Sequence, residues 1–157
     1  MVGGNSLKII HNLINMNNFI RPICDKDFYN GYFDLMYEFS EFKKDVTYEE
    51  FINYINNDNI TILCMYDTET NKLIGAGTIF KLNKLHNNPV GQIEDVIITS
   101  TYRQIGLGKI LIKQLSDIGI HKYKCYKITL NCLEKNIGFY EKCDFKNSGV
   151  QMRLHLS

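Results

Sequence analysis

A short glycine-containing segment, Arg103-Gln104-Ile105-Gly106-Leu107-Gly108-Lys109, stands where the hydrophobic pattern of the sequence changes. Residues 92–99 before it predict a β-strand, and residues 106–119 predict a helix with an apolar face. A turn that opens a helix exposes backbone N–H groups, and the helix dipole adds partial positive charge there. The segment is therefore a candidate site for an anion such as a pyrophosphate; a glycine turn with only a structural role is the alternative.

The spacing of these glycines differs from two common phosphate-binding motifs. A P-loop has the pattern G-x-x-x-x-G-K-[ST], a dinucleotide fingerprint has the pattern G-x-G-x-x-G, and this segment has neither. Nucleoside triphosphates and NAD are therefore not predicted as ligands.

Two adjacent acids, Glu94 and Asp95, lie on the strand that precedes this segment. Neighbouring side chains of a regular strand point to opposite faces, so only one of the two could enter a cleft unless a bulge changes the alternation. A candidate acid–base pair and an exposed acidic strand face are both compatible with this pattern.

The elements around these residues predict an α/β or α+β domain in which one sheet carries the site. A proline in the first strand, Pro22, predicts an edge or an ending, Asp25 is a candidate N-cap, and Thr47 with Glu50 forms a capping box. The predicted order is strand 19–23, helix 25–41, helix 47–56, strands 60–66 and 73–82, loop 83–89, strand 92–99, helix 106–119, strand 126–132, helix 134–142 and a terminal strand over 150–156.

Composition is that of one compact globular domain. The chain has 157 residues, 45% of them hydrophobic, and 18 Lys and Arg against 17 Asp and Glu without a basic cluster, so we do not expect a nucleic-acid partner. Five cysteines without a C-x-x-C pair suggest reduced thiols in the core. With no apolar run long enough to span a bilayer, we expect a cytoplasmic protein without a membrane partner. Residues 1–17 predict an N-terminal extension and residues 18–157 the domain.

Three segments in this order resemble the GNAT superfamily of acetyltransferases: the strand Gly91 to Ile98, the R-x-x-G-x-G segment with its helix, and Asn136 to Phe145 with its Phe-Tyr pair. Residues 93–96, 125–130 and 134–145 are more narrowly similar to the glucosamine 6-phosphate N-acetyltransferases, over roughly residues 19–154. The resemblance implies the GNAT acyl-CoA N-acyltransferase fold, a mixed and mostly antiparallel sheet with splayed parallel strands, flanked by helices.

The same resemblance implies a reaction. Acetyl would pass from acetyl-CoA, the cosubstrate, to the 2-amino group of glucosamine 6-phosphate, giving N-acetylglucosamine 6-phosphate and CoA for UDP-GlcNAc biosynthesis. The amine would attack directly in a ternary complex, without a metal, and a homodimer would share active sites between subunits. A protein or polyamine acetyltransferase and a non-catalytic acetyl-CoA-binding module are the alternatives.

The resemblance also implies roles for individual residues. Glu94 would accept the ammonium proton, the Val96 N–H would bind the oxyanion, and Tyr140, whose alternative role is packing, would protonate the leaving thiolate, while Phe139 would face the core. The implied cofactor residues are Val96, Ile98, Arg103, Gln104, Ile105, Gly106, Leu107, Gly108, Lys109, Asn136 and Tyr140. The implied substrate residues are Glu94, Asp95, Asn131, Lys84 and Arg153.

Three positions depart from the family pattern. At His155 the family pattern tends to be more basic, which leaves the predicted phosphate contact open. Asn131 stands where the family usually has a carboxylate, so the role of that carboxylate is expected to pass to Glu94. Asp144 stands where the family usually has glycine, and aspartate tolerates the left-handed turn expected there at modest cost. Asn131 is also the feature that keeps the non-catalytic alternative open.

Overall fold

A computed structural model describes residues 20–40 and 44–154 of the chain. The predicted extension over residues 1–17 lies outside these residues, so the predicted domain boundary stays a prediction. The strands are β1 (Ile20–Pro22), β2 (Ile60–Tyr66), β3 (Leu73–Lys84), β4 (Asn87–Ile98) and β5 (Lys127–Leu130). The α-helices are α1 (Tyr32–Phe39), α2 (Tyr48–Ile55), α3 (Leu107–Asp117) and α4 (Ile137–Glu141).

The strands form one five-stranded sheet in the order β1-β2-β3-β4-β5. Neighbouring strands from β1 to β4 are antiparallel, whereas β4 and β5 are parallel. The chain crosses from β4 to β5 through α3, because parallel neighbours need a long connection. The predicted mixed, mostly antiparallel sheet with flanking helices is confirmed.

Both faces of the sheet are covered, and β2 shows this most directly. Leu63 and Met65 belong to a core cluster that includes residues of α3, which we call the α3-side cluster. Ile62, Cys64 and Tyr66 belong to a second cluster with residues of α1 and α2, the α1–α2 cluster. Side chains of a strand alternate between faces, so a strand buried on both sides appears in sequence as a continuous apolar run. The sheet therefore lies as a middle layer between α3 and the α1–α2 pair.

Local sequence signals set several of the boundaries. The predicted capping box starts α2, because Thr47 Oγ1 accepts from the Glu50 N–H at 3.2 Å and Glu50 Oε2 accepts from the Thr47 N–H at 2.8 Å. The predicted helix over residues 25–41 is instead a 3₁₀ turn, Asp25–Phe28, followed by α1. Gly31, with φ 84°, separates the two. The predicted N-cap Asp25 is the first residue of the turn, and Cys24 caps it.

Two further predictions are wrong. The loop predicted over residues 83–89 is a hairpin, since β3 runs to Lys84 and β4 begins at Asn87. The terminal strand is absent from residues 150–154, the part of it that the structure describes. Val150, Met152 and Leu154 are each more than four-fifths exposed, so their alternation finds no sheet partner among residues 20–40 and 44–154.

The remaining boundaries agree closely with the sequence. Helix α3 is followed by a π-helical turn, Ile118–Lys122, so the helical segment continues slightly beyond its predicted end. The predicted helix over residues 134–142 is a 3₁₀ turn, Glu134–Asn136, that continues into α4. No helix within residues 20–40 and 44–154 is long and apolar enough to cross a membrane.

Candidate active site

The segment between β4 and α3 forms a tight loop that we call the R-x-x-G-x-G loop (residues 103–108). Gly106 caps α3 with a left-handed backbone at φ 89°, and Gln104 is also left-handed at φ 66°. The backbone N–H groups of Gln104, Ile105 and Gly106 donate to no backbone acceptor in the part of the chain that the structure describes. The first N–H groups of α3 likewise have no partner within the helix. Several donors are thus available to one anion.

The loop has room for such a ligand. A Cβ atom built on Gly106 would meet no atom within 4 Å. Arg103 is exposed, and its Nε donates to the Ile98 carbonyl at 2.8 Å, which holds the guanidinium at the end of β4. Free N–H groups beside a fixed guanidinium suit the charge and shape of a phosphate. The residues present therefore fit a CoA pyrophosphate.

The side chains of this segment divide between core and solvent. Leu107 is 2% exposed and Ile105 packs against the α3-side cluster, so both side chains anchor the loop. Gln104 and Lys109 are exposed. Of Leu107, only the backbone N–H is therefore available to a ligand, whereas Lys109 could offer its ammonium group.

Pairing between strands β4 and β5 ends short of this loop. Their last paired residues are Ile93 and Leu130, while β4 continues to Ile98. Opposite β3, Asp95 and Val96 together face one residue, Gly77, because the register shifts there. Such a bulge interrupts the hydrogen-bond ladder. The expected bulge is present, and β4–β5 pairing ends before the bulge. The role of the Val96 N–H as an oxyanion donor stays a prediction.

The bulge places Glu94 and Asp95 on the same side of the sheet. Glu94 pairs with Thr78, whose own partner Ile62 belongs to the α1–α2 cluster. Asp95, at φ 51°, lines a cavity on that side. Asp95 keeps solvent exposure, yet partial desolvation in the cavity wall raises its pKa, and the charge of Glu94 raises it further. The opposite orientation expected of a regular strand does not apply here.

A cavity of about 430 Å³ lies next to Asp95, between the sheet and the α1–α2 pair. Lys44 and Glu50 line it, with Lys44 Nζ 3.1 Å from Glu50 Oε1. Burial and the charge of Asp95 raise the pKa of Tyr54, which also lines the cavity. A carboxylate, a phenol and an ammonium group thus line one cavity, and the rest of its wall is largely apolar. Sequence reasoning missed Lys44 and Tyr54, since the capping box predicts helix α2 without predicting what it faces.

Tyr140 on α4 is half-buried against the α3-side cluster. Burial raises the pKa of its phenol, and the neighbouring Cys132 and Cys143 raise it further. The phenol therefore stays protonated at neutral pH, as a proton donor must. The prediction that Phe139 faces the core is wrong, because Phe139 is 39% exposed and lies over the start of α3. A Cβ atom on Gly108 would be 3.1 Å from Phe139 Cζ.

Five predicted site residues outside the R-x-x-G-x-G segment are exposed and do not line the cavity in the described part of the chain: Glu94, Asn131, Asn136, Lys84 and Arg153. Asn131 directly follows β5, Asn136 precedes α4, Lys84 ends β3, and Arg153 lies in the irregular segment after α4. Their assigned roles stay predictions. Asp144 has φ 67°, so the left-handed turn expected there is confirmed.

Comparison with known proteins agrees with this geometry. The model of the acetyltransferase (GNAT) family matches residues 26–145. The chain belongs to the GNAT acetyltransferase family. The predicted superfamily is thereby confirmed, and the R-x-x-G-x-G loop and the splayed strands lie within the matched region.

Several relatives of this GNAT protein share one name, glucosamine 6-phosphate N-acetyltransferase. Glucosamine 6-phosphate N-acetyltransferase 1 of Dictyostelium discoideum is 38% identical over 143 residues, which are 87% of this chain and 89% of the relative. The crystal structure of glucosamine-6-phosphate N-acetyltransferase from Arabidopsis thaliana superposes with a TM-score of 0.79 at 29% identity, covering 88% of this chain and 97% of that one. A Trypanosoma brucei acetyltransferase structure gives a TM-score of 0.78 at 30% identity, covering 87% and 98%. The predicted narrower resemblance is confirmed.

Proposed function

We propose that this protein transfers the acetyl group of acetyl-CoA to the 2-amino group of glucosamine 6-phosphate. The observation that carries acetyl transfer is the end of β4–β5 pairing before the bulge of β4, which leads into the R-x-x-G-x-G loop. The choice of acceptor is supported by the 38% identical Dictyostelium relative. The products are N-acetylglucosamine 6-phosphate and CoA, which supply UDP-GlcNAc biosynthesis.

Acetyl-CoA supplies an activated thioester when it is bound. The backbone donors of the R-x-x-G-x-G loop hold its pyrophosphate, with help from the Arg103 and Lys109 cations. Val96, Ile98, Asn136 and Tyr140 flank the remainder of the cofactor in the gap between the strands. This assignment rests on the free N–H groups and on the space above Gly106.

Three residues of the chain act on the reacting atoms. Glu94 accepts the proton of the substrate ammonium, directly or through water, so that the amine can attack. The Val96 N–H donates a hydrogen bond to the developing oxyanion. Tyr140 donates its phenolic proton to the departing sulfur, and its raised pKa supports this direction of transfer.

The acceptor binds on the α1–α2 side of the sheet. Asp95 binds the amino sugar, and Asn131 offers an amide where relatives have a carboxylate. Lys84 and Arg153 bind the phosphate. Asp95 is supported by its place in the cavity wall, whereas the two cations are supported by charge complementarity alone.

The amine attacks directly, and no acetyl-enzyme forms. A burst of acetylated protein after mixing with acetyl-CoA alone, measured by mass spectrometry of the intact chain, would contradict this order. We expect the mass of the protein to remain unchanged until the acceptor is added.

The active unit is a homodimer in which residues of one subunit complete the site of the other. Strand β5 is at the edge of the sheet, and Val150, Met152 and Leu154 are 89%, 89% and 84% exposed with alternating spacing. Pairing of this segment with a second copy would bury these side chains and bring Arg153 to the neighbouring site. Light scattering after size-exclusion chromatography is expected to give twice the chain mass, and a monomer at micromolar concentration would contradict the proposal.

The protein acts in the cytoplasm. The thiols of Cys24, Cys64, Cys125, Cys132 and Cys143 are all unpaired, which supports a reducing compartment. Cys132 is exposed rather than buried, contrary to the expectation of core thiols.

The test of function is CoA release from acetyl-CoA, followed with a thiol reagent. Glucosamine 6-phosphate is the acceptor, and unphosphorylated glucosamine, a polyamine and a peptide amine are controls. Turnover that depends on the phosphate supports the proposal. Turnover only with the peptide or the polyamine overturns the acceptor, and CoA binding without turnover on any amine favours a binding module.

A further inference from the structure

The hairpin connection between β2 and β3 contacts the segment that leads into the R-x-x-G-x-G loop. Tyr102, the residue before Arg103, donates its phenolic O–H to Asp67 Oδ2 at 2.6 Å. Asp67 is the first residue after β2, 35 positions away in sequence. This hydrogen bond links the hairpin connection to the segment that leads into the R-x-x-G-x-G loop.

Asp67 is itself fixed by its own turn. Its Oδ1 accepts from the Glu69 N–H at 2.9 Å, from the Thr70 N–H at 2.7 Å and from Thr70 Oγ1 at 2.9 Å. The Asp67 N–H donates to the Lys72 carbonyl at 2.9 Å. With Oδ1 occupied in this way, Oδ2 is held in one direction, toward Tyr102. The hydrogen bond from Tyr102 keeps the pKa of Asp67 below its usual range, so the acceptor is ionised at neutral pH.

Tyr102 holds the start of the loop in two further ways. Its backbone N–H donates to the Thr99 carbonyl at 3.0 Å, and its ring packs against the α3-side cluster. The next residue, Arg103, donates to the Ile98 carbonyl. Tyr102 therefore connects the hairpin between β2 and β3 to the residue that carries the guanidinium. The backbone N–H groups of residues 104–106 donate to no backbone acceptor in the described part of the chain. Their positions therefore depend on where the segment before them leaves the sheet.

We propose that Asp67 and Tyr102 are positioning residues that set the R-x-x-G-x-G loop in its CoA-binding conformation. The proposal rests on the proposed function, since it assumes that the loop binds the CoA pyrophosphate. The pair acts on the cofactor side of the site alone. Losing it lowers affinity for CoA and acetyl-CoA and leaves affinity for the acceptor and turnover at saturating acetyl-CoA unchanged.

The test compares CoA binding by the full chain and its variants in isothermal titration calorimetry. Tyr102→Phe removes the hydroxyl and keeps the ring, and we expect Kd for CoA to rise about fivefold, the size of the typical net contribution of one hydrogen bond. Asp67→Asn keeps an oxygen for the turn and removes the charge, so it should weaken binding in the same direction. Tyr29→Phe is the matched control, because Tyr29 is 78% exposed and its ring contacts Phe28 and Tyr48.

The double variant and the kinetics separate positioning from a general loss of structure. If the pair acts as a unit, Asp67→Asn adds no further loss in the Tyr102→Phe background. In steady-state assays the KM for acetyl-CoA should rise, while kcat and the KM for the acceptor stay unchanged. Partial unfolding would instead lower kcat.

Each outcome has a distinct meaning. An unchanged Kd in Tyr102→Phe, or additive losses in the double variant, overturns the positioning role while the wild-type protein still binds CoA. No CoA binding by the wild-type protein overturns the proposed function, and the positioning role with it.

Discussion

Replacing Gly106 by alanine perturbs the R-x-x-G-x-G loop without a steric clash. Gly106 has φ 89°, and an added Cβ atom would meet nothing within 4 Å. The cost is therefore one of backbone conformation, about 1–2 kcal/mol for a residue with a Cβ atom in the left-handed region. Gly31 is the matched control, because it also caps a helix, has φ 84° and leaves its Cβ position open.

The strain at Gly106 can appear in two measurements. If the loop keeps its shape, Gly106→Ala lowers the free energy of unfolding by about 1–2 kcal/mol, which lowers Tm by about 2–8 °C in a chain of this size. If the loop relaxes instead, the binding conformation must be restored when CoA binds, and Kd rises by about 5–30-fold. We expect the two losses together to account for the strain. Gly31→Ala should show only the loss of stability.

Urea unfolding and calorimetric titration with CoA measure the two losses on the same preparations. Unchanged stability and unchanged CoA affinity in Gly106→Ala would refute the reasoning that the left-handed backbone shapes the site. Equal weakening of CoA binding by Gly31→Ala would also refute it, since the effect would then not be specific to the loop.

Two further predictions concern protons. Tyr140→Phe should lower kcat by about 10²–10³-fold with the Kd for CoA unchanged, because the phenol donates a proton only during turnover; a loss below threefold, or an equal loss in the exposed Tyr126→Phe, would exclude the acid role. Burial raises the pKa of Tyr140 above its ordinary value of about 10, so kcat should show no alkaline fall due to this group between pH 7 and 9. Asp27→Asn should lower the free energy of unfolding by about 2–4 kcal/mol, because Asp27 is fully buried and accepts from both guanidinium nitrogens of Arg21, at 2.7 and 2.8 Å, and from Tyr66. Burial alone would raise the pKa of Asp27, but these hydrogen bonds outweigh it and lower the folded-state pKa. The stabilisation is therefore complete above the unfolded pKa of about 3.9 and is lost as pH falls below it, so urea unfolding of the wild type should weaken below pH 4 more steeply than that of the variant.

The local elements were predictable where short-range chemistry decides them. The capping box of Thr47 and Glu50, the apolar run of β2 and the glycine turn before α3 each depend on neighbours within a few residues. Errors appeared where a partner distant in sequence decides the outcome. Residues 83–89 look polar, yet the β3–β4 hairpin extends through them because the two strands pair with each other.

The fate of the last segment shows the same limit. The alternation of Val150, Met152 and Leu154 predicts a strand, but a strand forms only with a partner. The described part of the single chain offers none to residues 150–154. Alternation shows which side chains favour burial, but it does not specify which surface of the protein buries them.

The sequence by itself determined the family, the order of most elements and the loop that can hold a pyrophosphate, because these depend on residue type and close spacing. Only the tertiary structure decided the shape of the acceptor side. The bulge at Asp95 and Val96 arises from pairing with β3, and it brings two carboxylates to one face that a regular strand would separate. The cavity with Lys44 and Tyr54, and the link from Asp67 to Tyr102, likewise join residues far apart in the chain. Such contacts follow from packing between elements, which no local pattern specifies.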